Sequence, residues 1–69
     1  MKLSARNVLP GKVIAITIGA TTAHVKIEIG SGAEITASIT NEAVEALELA
    51  VGKPVSAVIK SSDVMVGVE

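Results

Sequence analysis

Apolar and polar residues alternate along most of the chain with a period of two, and β-branched residues dominate the apolar set, a pattern that predicts strands rather than helices. The first clear run is Lys12 to Ile18. After a turn at Gly19-Ala20-Thr21, the run from Thr22 to Ile29 puts Ala23, Val25, Ile27 and Ile29 on one face and His24, Lys26 and Glu28 on the other, as expected of a half-buried strand. Gly30-Ser31-Gly32 carries residues that tolerate positive φ in a tight hairpin. Beyond it Ile35, Ala37 and Ile39 alternate with Glu34, Thr36, Ser38 and Thr40.

At Thr40-Asn41 the period changes. Ala43, Val44 and Leu47 stand at helical spacing, Glu42 and Glu45 fall in the expected first turn, and Thr40 or Asn41 can serve as N-cap. This short helix cannot pass Gly52, and Lys53-Pro54 returns the chain to an extended form for Val55 to Lys60. A polar turn, Ser61-Ser62-Asp63, precedes a last apolar run from Val64 to Val68. Four or five short strands with one helix before the last two predict a mainly β fold, an OB-like barrel or small sandwich, in a single domain over residues 1–69.

Composition adds a problem of stability. Hydrophobic residues make up 49% of the 69 residues, yet Phe, Tyr and Trp are absent, so the core must be aliphatic. A domain this small needs a staple, and with 0 Cys and 1 His neither disulfides nor a structural zinc is at hand, which leaves oligomerisation. No apolar stretch approaches the roughly 20 residues of a membrane helix. The segment Met1-Lys2-Leu3-Ser4-Ala5-Arg6-Asn7 lacks the apolar region of about 7 to 15 residues that an export signal needs, so the expected location is cytoplasmic. Six basic residues against seven acidic ones give no net positive field to attract polyanions, so any anion site must be local.

Two polar clusters interrupt the apolar segments. In an extended Ser4-Ala5-Arg6-Asn7 the Ser4 hydroxyl and the Arg6 guanidinium project to one side. Lys60-Ser61-Ser62 lies at a strand end where backbone N–H groups are free to donate. Together they supply donors and almost no acceptors, which suits a deprotonated oxyanion, and one Arg with one Lys match a dianion's charge. Each cluster also has a plain reading as solvated surface or turn, and periodicity does not say whether the two meet.

Lys2-Leu3-Ser4-Ala5-Arg6-Asn7 followed by Gly11-Lys12-Val13 resembles the opening motif of molbindins and of the transport-associated OB domains related to them. Ala57-Val58-Ile59-Lys60-Ser61-Ser62-Asp63-Val64-Met65 resembles their closing segment, and Ile39-Thr40 their central step, so the resemblance spans essentially the whole chain. It implies an OB-like β-barrel of about five strands with one short helix, strand-exchanged subunits in an oligomer, expected as a hexamer (trimer of dimers), and molybdate or tungstate held at interfaces as a ligand, with no organic cofactor. Carried over by motif, Ser4, Arg6, Lys60 and Ser61 would line the oxyanion site, with Thr40 contributing from the edge of the helix. Ser61 stands where Ala is often found, so its backbone N–H is the firmer contact. The implied role is intracellular molybdenum storage and homeostasis.

Competing functions find less support. A flat pterin favours aromatic stacking, and single-stranded nucleic acid needs stacking side chains and a basic groove, neither of which is present. Catalysis lacks a paired base and nucleophile. The lone His24 reads as surface or interface, Gly30-Ser31-Gly32 as a hairpin rather than a phosphate loop, and Glu42, Glu45 and Glu48 as the solvent face of the helix. A purely structural oligomer remains the alternative if Arg6 and Lys60 never meet.

Overall fold

The alternation predicted for the middle of the chain becomes the centre of a single antiparallel sheet in the computed structural model, which describes residues 2–69. Strands β1 (Asn7–Ile18), β2 (Thr22–Glu28) and β3 (Glu34–Thr40) are followed by helix α1 (Asn41–Ala46) and strand β4 (Pro54–Ile59). The spatial order is β3-β2-β1-β4, curled into a half-barrel, and the family of OB-like folds expected from the sequence is the one observed. Ala23, Val25 and Ile27 of β2 point inward with Val13, Val44 and Ala57 to form the buried core, while His24 and Lys26 face out.

β1 is longer than the run Lys12 to Ile18 suggested. Its first half pairs with β4, from Asn7↔Ile59 to Lys12↔Pro54, and its second half pairs with β2, from Lys12↔Glu28 to Ile18↔Ala23. Where the strand changes partners, a bulge falls between Val13 and Ala15 and the backbone of Gly11 runs against that of β2. A Cβ at Gly11 would lie 2.2 Å from the Glu28 carbonyl oxygen, so only glycine allows the crossing that curls the sheet.

Thr40 rather than Asn41 is the N-cap, its Oγ1 accepting the Ala43 N–H at 3.0 Å. The helix is only six residues long, so Glu42 alone occupies its first turn. It ends at Ala46, well before Gly52, in a Schellman arrangement: the Leu49 N–H donates to the Val44 carbonyl and the Glu48 N–H to the Glu45 carbonyl, each at 3.0 Å. Glu48 takes the left-handed position there, with φ of 52°. The Lys53 ammonium donates to the carbonyls of Leu47 and Glu48 at 2.6 and 3.1 Å, satisfying groups that the helix end leaves open.

The expected fifth strand is absent. Lys60 caps a short 3-10 turn at Ser61–Asp63, which ends the ladder with β1, and Val64 to Val68 pairs with no strand among the described residues. After the 3-10 turn this apolar run does not fold back onto the open edge of β4, and Met65, Val66 and Val68 stand 92%, 90% and 94% exposed. Four strands, not about five, make the sheet. Leu3, Val8 and Val58 are also exposed, and the concave side opens as an apolar groove of about 440 Å³ lined by residues that include Val13, Val25, Ile35, Val55 and Ile59.

Candidate anion-binding site

Long-range register decides which polar residues meet. Because Asn7 pairs with Ile59, Arg6 just before β1 and Lys60 just after β4 emerge at the same end of one antiparallel ladder. The Asn7 side-chain amide donates to the Ile59 carbonyl at 3.2 Å and fixes this corner. Two cationic side chains 54 positions apart in the chain, by subtraction of their numbers, are thus brought to one sheet end.

Ser61 follows Lys60 at the same end, and Ser4 precedes β1 by three residues. Ser4 lies two residues before Arg6, but both sit at bends rather than in a strand, so the alternation expected to align them does not describe this segment. Ser61 opens the 3-10 turn, in which the Asp63 N–H donates to the Lys60 carbonyl at 2.9 Å and the Val64 N–H to the Ser61 carbonyl at 3.3 Å. The leading N–H groups of a helical turn have no partner within it, here those of Ser61 and Ser62. Ser4, Arg6, Lys60 and Ser61 are all exposed. Arg6 and Lys60 thus put two positive charges at one open end of the sheet, next to the turn that opens at Ser61.

Thr40 lies elsewhere in the chain. It pairs with Thr22, one residue beyond the Ala23 that faces Ile18, the last residue of β1. It therefore occupies the end of the sheet opposite Arg6 and Lys60, separated by the twelve residues of β1 at about 3.3 Å each along the strand. Its Oγ1 accepts from Ala43, which leaves the hydroxyl hydrogen free to donate.

A clamp beside Thr40 was not evident from the sequence. The Asn41 N–H donates to the Thr21 carbonyl at 2.9 Å and its side-chain amide to the Gly19 carbonyl at 3.0 Å, tying the β1–β2 turn to the start of α1. The turn itself is closed by the Gly19 N–H on the Thr22 carbonyl at 2.8 Å, and a Cβ on Gly19 would meet that carbonyl oxygen at 2.7 Å. Nothing in periodicity marks an asparagine that follows an N-cap as a clamp; the only signal was its place opposite a glycine turn.

Other polar groups do not assemble a second chemistry. His24 is exposed on the outer face opposite Thr17 and Ser38. Among the described residues no group of three or more His, Cys, Asp or Glu is placed to hold a metal ion.

Residues 3–66 match the TOBE domain. The chain belongs to the TOBE-domain family. This TOBE domain is 49% identical over its full length to the full length of a probable molybdenum-pterin-binding protein of Haemophilus influenzae. Its fold superposes on MopII from Clostridium pasteurianum with a TM-score of 0.90 and 43% identity, covering 97% of this chain and 100% of that one. It also superposes on the cytoplasmic molybdate-binding protein ModG, in a form with molybdate bound, with a TM-score of 0.95 and 48% identity, covering the whole of this chain and 49% of that one. The TOBE domain thus spans about half of the ModG chain but matches the Haemophilus and Clostridium proteins end to end. The resemblance to molbindins read from the sequence is borne out.

Proposed function

We propose that this TOBE domain binds molybdate or tungstate as an intact tetrahedral oxyanion, in the cytoplasm, for storage and homeostasis of the metal, and performs no reaction on it. The observation that carries this reading is the β1–β4 register, Asn7 opposite Ile59, which puts Arg6 and Lys60 at one end of that ladder next to the turn that opens at Ser61. An oxyanion without protons needs donors only, and this corner supplies them together with two compensating charges. The similarity to ModG, a cytoplasmic protein solved with molybdate bound, supports the same ligand class.

Thr40 belongs to the same site only if a second copy supplies it, because within one chain it stands at the far end of β1. A homo-oligomer, expected as a hexamer built from dimers, provides that copy. The exposed Val64 to Val68 segment, the open apolar groove and the lack of any cysteine support the same conclusion, since a chain of 69 residues gains the burial it lacks from a neighbour. Calorimetric titration with molybdate, beside native mass measurement, tests both parts. Saturable binding to an oligomer is expected; a folded monomer, or no binding at millimolar molybdate, would reject the reading.

A further inference from the structure

We propose that Asp63 sets the affinity of the anion site by opposing the bound dianion, so that cargo is held less tightly than Arg6 and Lys60 alone would hold it. The inference rests on the anion-site reading above. Lys60 is the N-cap of the 3-10 turn and Asp63 its third residue, joined by the hydrogen bond from the Asp63 N–H to the Lys60 carbonyl at 2.9 Å. That bond closes the turn and keeps the backbones of Lys60 and Asp63 within one turn of each other. A carboxylate is therefore carried on the same turn as the Lys60 ammonium and the Ser61 N–H. Asp63 is exposed and makes no side-chain hydrogen bond or ion pair among the described residues, so it is not consumed in holding the turn. Its charge subtracts from the field that the two cations create. The corner sums to two positive charges and one negative, and a dianion bound there is not fully neutralised by it.

A unit charge about 7 Å from a dianion, across a water-like dielectric and at low salt, changes a binding constant by about five- to tenfold. The test is titration of the full chain with sodium molybdate at pH 7.5, at low and high ionic strength, for the parent, Asp63→Asn, Glu34→Gln and Arg6→Ala. Glu34→Gln removes the same charge from the start of β3 and controls for net charge. Asp63→Asn is expected to bind molybdate about five- to tenfold more tightly at low salt, with the gain shrinking at high salt, whereas Glu34→Gln stays within about twofold. If Arg6→Ala weakens binding while Asp63→Asn equals or falls below the parent, or if Glu34→Gln gains as much as Asp63→Asn, the role given to Asp63 is overturned and the site stands. If Arg6→Ala binds like the parent, the anion-site reading fails first and takes the inference with it.

Discussion

Gly11→Ala is the substitution the fold should tolerate least for its size. The added Cβ would sit 2.2 Å from the Glu28 carbonyl oxygen, 3.0 Å from its carbon and 3.1 Å from the Ile27 Cγ2, and the first two atoms belong to backbone that has no rotamer to change. To reach van der Waals contact, β1 and β2 must part by about 1 Å at the point where β1 exchanges β4 for β2. Overpacking of that kind costs about 1–3 kcal/mol, and disturbing one or two adjoining ladder bonds adds about 1 kcal/mol each. Against this stands a gain of about 0.5–1 kcal/mol from replacing a flexible glycine within a strand. The net expectation is a loss of about 2–4 kcal/mol. Val13, wholly buried two residues further on, would shift with the strand, so little of the cost can be relaxed away. With no Trp, Tyr or Phe in the chain, urea unfolding is followed by far-ultraviolet circular dichroism at fixed protein concentration. Gly67→Ala, where the added Cβ meets nothing within 4 Å, is the control and should stay within about 0.5 kcal/mol. Equal midpoints for Gly11→Ala and Gly67→Ala would refute the close crossing and the curl built on it.

Other outcomes follow from single contacts. Glu48→Gly relieves the left-handed φ of 52° at the end of α1 and should stabilise the fold by up to about 1 kcal/mol in the same urea assay. Thr40→Ala should cost about 1 kcal/mol of stability through the lost N-cap and also weaken molybdate binding, whereas Thr40→Ser restores both, as melts and titrations would read. In competition titrations at pH 7, tungstate should displace molybdate readily, smaller sulfate less well, and phosphate hardly at all, because the proton that phosphate carries finds no acceptor among the donors at a cost of about 1–3 kcal/mol. Phosphate competing as well as tungstate would mean that Asp63 or a backbone carbonyl reaches the anion.

What was legible in the sequence was local. Ala23, Val25 and Ile27 pack inward as their spacing required, and Gly30, Ser31 and Gly32 all take positive φ in the hairpin. The first half of β1 was hidden because Pro10-Gly11 reads as a break, while its pairing depends on a partner far along the chain, Pro10 facing Ser56. Val64 to Val68 is a short apolar run of the kind that strands are made of, but beyond the 3-10 turn it does not pair with the open edge of β4, and apolar character alone does not report a pairing neighbour. The same distinction governs the site. The residue types at Arg6 and Lys60 pointed to anion chemistry, but only the register of β1 against β4 puts them at the same end of the sheet. Thr40 was grouped with them by resemblance, and it is the length of β1 that puts it at the other end of the sheet.

The most direct test is calorimetric titration of molybdate into Arg6→Ala, Lys60→Ala and the double variant, each checked for unchanged assembly by native mass. A charge-assisted hydrogen bond is worth about 1.5–3 kcal/mol, so each single variant should bind at least about tenfold more weakly than the parent, and the double variant should lose less than the sum because both groups act on one ion. Single variants that bind molybdate like the parent would contradict a site built where β1 begins and β4 ends.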